Sequence, residues 1–302
     1  MKIFSEPTQQ KKLSLAMGYF DGVHLGHQKV IKKAVELAKS NGTKSAVITF
    51  KDHPCCFFYG VCPKYILTRK ERQEKIAELG VDYLYEFDFA KIANLSAQEY
   101  LKDIIIKNFS PIGISTGFNH HFGAGKTGSP EFLEKMSHVY NYIYNKTEAE
   151  KLNGETISST KIRQLLSNGQ IETANKMLGY KFQLEGKVIT GQQLGRKIGF
   201  RTANVLYPNE LIDLPFGAYA TIITYQNKTY KGVTNFGIRP TVSTTEQCTV
   251  ETHILNFDKD IYNENIKIEF IKMLRAEKKF NSIEELKKQI QKLYQILLMI
   301  KV

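Results

Sequence analysis

Met17-Gly18-Tyr19-Phe20-Asp21-Gly22-Val23-His24-Leu25-Gly26-His27 decides how the first half of the chain folds. Residues 13–17, just before and into it, are apolar and compact enough for a buried strand. Residues 28–40 predict a helix, with Val30, Ile31, Ala34, Val35, Leu37 and Ala38 on its apolar side. Between strand and helix lies a turn punctuated by Gly18, Gly22 and Gly26, residues that accept positive φ and close approach of a ligand. A strand entering a helix through such a turn presents free N–H groups and a positive dipole end, which suit phosphate. Imidazoles at His24 and His27 could then donate hydrogen bonds to a phosphorus centre gaining charge in a transition state.

Glycine-rich turns of this type are often purely structural, and two histidines at this spacing could also ligate a metal. The HExxH pattern is absent, however, and a turn aligns ligands less regularly than one helical face does. The complete string resembles the G-x-F-D-G-x-H-x-G-H signature of the prokaryotic FAD synthetases, within the HxGH nucleotidyltransferases. That resemblance implies adenylyl transfer from ATP to FMN, with His24 and His27 catalytic and Gly18, Phe20, Asp21 and Gly22 lining the nucleotide site.

A chain of 302 residues is long for one domain and comfortable for two. Its 42% hydrophobic and 24% charged content is that of an ordinary soluble protein, and no apolar run reaches the length of a membrane span. The first residues lack the layout of a signal peptide. The expected location is therefore the cytoplasm, with Cys55, Cys56, Cys62 and Cys248 expected as free thiols. A net charge of +12 admits polyanionic partners, but the lysines are dispersed and no nucleic-acid-binding motif appears. Small phosphorylated substrates are expected, with neither nucleic acid nor membrane as partner.

Downstream, segments 44–50, 81–87, 112–116 and 141–145 read as strands and 68–79, 96–107 and 131–140 as helices, with a capping box at Ser96 and Glu99. This alternation predicts an α/β domain, a Rossmann-like parallel sheet with helices on both faces and ligands at the strand carboxyl ends. The turn at His24, the break at His53-Pro54 and the loop after Thr116 can converge on one cleft. Thr49-Phe50-Lys51-Asp52-His53-Pro54 is similar to the family's T-F-x-x-H-P, beside the FMN and adenylate site, although His53 alone would suit an N-cap. Gly117-Phe118-Asn119-His120-His121-Phe122-Gly123 resembles the family's G-x-[DN]-x-x-F-G loop, which implies nucleotide contact at Asn119; an Asx-turn is the plainer alternative. Where the family often has an arginine shortly after, this chain offers Lys126. Ile157-Ser158-Ser159-Thr160-Lys161-Ile162-Arg163 suits an N-cap and equally a pyrophosphate cradle. It looks like the family's I-S-S-T-x-I-R, which gives the cradle role to Ser159, Thr160 and Arg163.

From residue 181 short alternating segments replace this rhythm, at 182–189, 218–225, 229–234, 249–255 and 266–274, and predict a small β-barrel closed by a helix over 282–293. The domains are thus expected at 1–180 and 181–302. The stretch 191–204, Asn235-Phe236-Gly237-Ile238-Arg239-Pro240-Thr241, Val250-Glu251-Thr252-His253 and Leu274-Arg275-Ala276-Glu277, with Lys279-Phe280, resemble the riboflavin kinase fingerprint. By that resemblance Thr202 and Asn204 hold Mg²⁺ with ATP, Glu251 is the general base on the ribityl hydroxyl, and Arg275 belongs to the ligand site; as a residue type, Glu251 could equally be an exposed strand position. Arg201 stands in place of the motif proline, Asn263 in place of a usual glycine and Leu293 in place of a usual acid. Two outcomes stay open for the barrel, an active kinase or a weakened or silent one that still binds flavin or props up its neighbour. Across the whole chain the expected activity is FAD biosynthesis from ATP, FMN and riboflavin. The rivals are a monofunctional FAD synthetase, a non-catalytic flavin or nucleotide sensor, and a nucleotidyltransferase for another phosphate ester.

Overall fold

A computed structural model describes residues 1–191, 201–239, 247–278 and 282–299. The fingerprint positions 192–200, together with Pro240, Thr241, Lys279 and Phe280, lie outside the described residues. The chain divides into two compact units, Met1–Ser159 and Thr160–Val302.

In the first unit six strands form one sheet: β1 (Lys2–Phe4), β2 (Leu13–Met17), β3 (Lys44–Phe50), β4 (Tyr83–Phe87), β5 (Gly113–Gly117) and β6 (Ile143–Thr147). Their order is β1-β4-β3-β2-β5-β6, and every pairing is parallel. The chain runs outward one way through β3 and β4, then returns to the far side of β2 for β5 and β6. The gap between β2 and β5 is therefore a topological switch point, where loops leave in opposite directions and open a crevice. The signature turn leaves β2 at this switch.

All five residues of β2 are buried, as a central parallel strand requires. Leu13, Leu15 and Met17 cluster with Tyr100, Leu101, Ile105, Phe109 and Leu133. The helix Leu25–Ser40 buries Val30, Ile31, Ala34, Val35 and Ala38, none of them in that cluster, and packs on β2 from the other face. Helices thus cover both faces. The helix starts three residues before the expected position because His24 already caps it. The predicted helix over 96–107 begins with both hydrogen bonds of the Ser96–Glu99 box and continues through a π-helical stretch, Tyr100–Ile106. Pro54 does not break the chain; it opens a short helix, Pro54–Tyr59, where a missing N–H costs nothing. One expectation is corrected here. Cys56 and Cys62 are joined by a disulfide, whereas Cys55 and Cys248 are not disulfide-bonded. Gly60, at φ 65°, turns the chain so that the two cysteines meet, a geometry that CxxC spacing rules do not capture.

The second unit contains a closed antiparallel barrel of β9 (Gln183–Ile189), β10 (Ala203–Leu206), β11 (Gly217–Tyr225), β12 (Lys228–Arg239), β13 (Gln247–Ile254) and β14 (Asn265–Ala276); between the two sets of strands lies a two-strand hairpin, β7 (Lys151–Leu152) and β8 (Glu155–Thr156), belonging to the first unit. The barrel order is β10-β13-β12-β11-β14-β9, and β9 pairs back to β10. Gln226 and Asn227 join β11 to β12 with φ of 48° and 61°, the left-handed pair that matches the twist of a tight hairpin. Asn263 takes φ 66°, as its place at a usual glycine requires. β10, four residues long, is too short to show alternation in the sequence. Buried Thr221, Thr234 and Thr252 share hydroxyl hydrogen bonds of 2.7 and 2.9 Å across three strands, so their polar atoms are satisfied inside the barrel wall. The closing helix, Ile283–Met299, runs past its expected end because Leu293 and Leu297 are buried; Leu297 packs with Ala220 and Leu255.

Candidate active sites

The signature turn is tightly constrained. Phe20, Gly22 and Val23 have φ of 60°, 76° and 34°, a sequence of left-handed residues that includes a β-branched side chain. Strain of this kind persists only where the surroundings enforce it, and it collects at functional sites. The enforcement comes from Ile66, whose N–H donates to the Asp21 carboxylate at 3.1 Å and whose side chain leaves no room for a Cβ on Gly22. Asp21 is buried and directed at the backbone of its own domain. Its carbonyl accepts a 2.9 Å hydrogen bond from Ser159 Oγ. The first residue of the helix Ser159–Ser167 is thereby tied to the turn, and that helix carries Thr160 next and Arg163 one turn on.

His24 is buried and caps the helix Leu25–Ser40, its Nδ1 accepting the His27 N–H at 3.3 Å. An accepting Nδ1 leaves the ring proton on Nε2, which is then a donor. Burial pulls the His24 pKa down to about 4, so the ring is neutral at pH 7 and still able to donate. The His27 ring stacks on His24 at 3.6 Å between centroids and meets the edge of Phe20 at 5.3 Å. The pair sits at the positive end of a 16-residue helix.

Beside the turn lies a largely aromatic cavity of about 530 Å³. Gly18 and Tyr19 line it from β2, Phe50 and His53 from β3, and His121 and Lys126 from the loop after β5. The ends of β2, β3 and β5 meet at this cavity, whereas His24 and His27 are not among its lining residues. His53 caps the helix Pro54–Tyr59, its Nδ1 accepting the Cys55 N–H at 3.1 Å, and its ring stands edge-on to Tyr19 at 4.7 Å in the cavity wall. Gly18 is required because a Cβ there would lie 2.9 Å from the Phe20 ring. Asn119 is exposed at a turn closed by the His120 N–H to the Gly117 carbonyl and does not line this cavity. His120 and His121, not singled out from sequence, line it instead.

In the barrel a second cavity, of about 80 Å³, is lined by Arg201, Thr202, Asn204 and Tyr262 among others. Register makes this site. Asn204 lies opposite Glu251 on β10 and β13, and Thr202 Oγ1 donates to Glu251 Oε1 at 2.7 Å. Gly191 permits the close approach of Asn204, since a Cβ there would fall 2.4 Å from its amide nitrogen. Arg201 itself is held by two contacts. Its guanidinium donates to the Asp258 carbonyl at 2.5 Å and its own carbonyl lies 2.8 Å from His253 Nδ1. The proline's restraint is replaced by side-chain ties. Arg275 sits on β14 opposite Ala218, outside this cavity, with its pKa lowered by burial. Among the described residues no group of three or more His, Cys, Asp or Glu could hold a metal ion. The Thr202 hydroxyl bonded to Glu251, with Asn204 opposite Glu251 in the sheet, supplies hard oxygen donors that fit Mg²⁺ taking most of its ligands from water and phosphate.

A parallel nucleotide-type domain with an HxGH helix start, followed by a small closed barrel, defines a two-domain transferase architecture. The FAD synthetase family model matches residues 6–161 and the riboflavin kinase model residues 178–297. A Bacillus subtilis bifunctional riboflavin kinase/FMN adenylyltransferase is 38% identical over 94% of this chain and 91% of its own. Its Escherichia coli K12 counterpart is 33% identical over 93% and 90%. A Streptococcus pneumoniae crystal structure described as a macrolide-efflux protein superposes with a TM-score of 0.90 at 28% identity, covering all of both chains. No described helix here is long and apolar enough to cross a membrane. The chain belongs to the bifunctional riboflavin kinase/FMN adenylyltransferase family.

Proposed function

We propose that this chain makes FAD in two steps, riboflavin phosphorylation in residues 181–302 and FMN adenylylation in residues 1–180. The observation that carries the second step is the His24–His27 stack at a helix start whose turn is bonded to Ser159. An FMN phosphate oxygen attacks the α-phosphorus of ATP, the bond to the β-phosphate bridging oxygen breaks, and pyrophosphate leaves in line. His24 Nε2–H and His27 donate to the oxygens of the transferring group as charge grows there. Ser159 and Thr160 at the helix start, with Arg163, hold the departing phosphates. The aromatic cavity, with Tyr19 and His53 in its wall, takes the flavin ring system. Little covalent work falls to the protein, so positioning dominates.

In the barrel Glu251 accepts the proton of the ribityl 5′-hydroxyl as its oxygen attacks the γ-phosphorus of ATP, and ADP leaves. The 2.7 Å contact from Thr202 orients that carboxylate. Thr202 and Asn204 would help hold Mg²⁺, which when bound with the nucleotide offsets phosphate charge. An intact Thr202–Glu251 pair and a tethered Arg201 favour an active kinase over a silent flavin-binding barrel.

The test is direct. Riboflavin and FMN are supplied separately with ATP and Mg²⁺, and the flavins are separated by chromatography. FAD from FMN and FMN from riboflavin are expected. FAD formation without riboflavin phosphorylation would leave a monofunctional synthetase, and flavin binding with no pyrophosphate release would leave a sensor.

A further inference from the structure

Arg72 and Glu86 form a charged pair where none is expected, with both side chains almost completely buried behind the aromatic cavity. The Arg72 guanidinium donates to Glu86 Oε1 at 3.0 Å. The same group donates to the carbonyl of Phe50 at 2.8 Å and reaches those of Tyr19 and Lys51 at 3.4 and 3.5 Å. It also lies 4.6 Å from the centroid of the Tyr19 ring. One cation therefore gathers the carboxyl ends of β2 and β3 and covers a face of Tyr19. Thr49 Oγ1 adds a 3.0 Å bond to the Tyr19 carbonyl. Glu86 is itself held from the other side by Arg69 at 2.8 Å and Gln73 at 2.6 Å, so Arg72 cannot swing away without abandoning a fixed anion. Buried ion pairs are weak contributors to stability against apolar isosteres, and their best-attested use is to specify one geometry. Here the geometry specified is that of Tyr19 and Phe50, two walls of the cavity.

We propose that Arg72, anchored by Glu86, is a positioning residue for the flavin: it sets the Tyr19 wall and so governs affinity for the planar ring, not the rate of phosphoryl chemistry. The inference rests on the cavity being the flavin site, as proposed above. It predicts a split that general loss of structure would not produce. In full-length protein, Arg72→Lys keeps the charge against Glu86 but loses the planar fork that spans the carbonyls. Its KM for FMN should rise about tenfold in FAD synthesis, while its KM for ATP and kcat stay within about threefold. Arg72→Met combined with Glu86→Gln removes the ionic pair without stranding a buried charge, Arg69 being half exposed, and should show the same split, with folding checked by urea denaturation. A double-mutant cycle against Tyr19→Ala, read as FMN affinity by flavin fluorescence, should be strongly non-additive because Arg72 acts through Tyr19. Folded variants whose FMN KM stays within twofold of wild type, or additive losses in the cycle, overturn the assignment. A wild-type protein that does not adenylylate FMN breaks the functional reading instead, which the unmutated control reports separately.

Discussion

The two sites are built in opposite ways. The HxGH site is local: eleven consecutive residues carry strand end, turn, cap and both imidazoles, and tertiary contacts with Ile66 and Ser159 brace what the string already encodes. The barrel site is assembled by register, with Thr202 and Glu251 meeting only because β10 and β13 pair with Asn204 opposite Glu251. A site made by one turn tolerates change elsewhere and is sensitive to its own backbone. A site made by strand pairing depends on every residue that sets the register, since a one-residue slip sends alternate side chains to the other face.

The largest effect should break the comparison if the sites are not independent. His27→Ala is expected to lower kcat for FMN adenylylation by about 10³-fold, the scale of losing a transition-state donor, with riboflavin phosphorylation unchanged. Equal losses in both assays would mean that the sites act as one.

Next comes acid stability. His24 titrates near 4 when folded, against an ordinary 6.5. Because the folded ring stays neutral while the unfolded ring takes up a proton, its contribution is complete above pH 6.5 and is lost as pH falls toward 4. That loss amounts to about 3 kcal/mol. Denaturant midpoints of the wild type should therefore fall across this window more steeply than those of His24→Asn, which keeps a capping side chain. Parallel curves would show that His24 is not the buried neutral group described.

Glu251→Gln should reduce riboflavin phosphorylation about 10²-fold and leave adenylylation intact, measured as FMN and FAD produced separately. A kinase that tolerates this change would deny Glu251 the role of base. The smallest effect is expected at Arg201. Arg201→Pro restores the motif residue but removes the tie to the Asp258 carbonyl, and the two restraints should balance to within about threefold in kinase KM for ATP. A large gain would show that the arginine weakens the site.

Much of this molecule could be read from its residues in order. The strand, turn and helix around His24, the capping box at Ser96 and the left-handed asparagine at 263 follow from local rules, because each depends on neighbours a few positions away. The convergence of His53 with the loop after β5 was also legible, since a parallel sheet sends both strand ends to the same edge. What residues alone did not disclose is long-range. The sequence marks Asn119, but the fold leaves it exposed and turns His120 and His121 to the cavity. It shows Arg201 in place of the motif proline, but not that a carbonyl 57 residues away holds its guanidinium. It carries no sign that Arg72 and Glu86 are paired in the interior, or that Cys56 and Cys62 are bonded. These depend on which groups a folded chain brings within a few ångströms, the range at which hydrogen bonds, direct ion-pair contacts and excluded volume are decided.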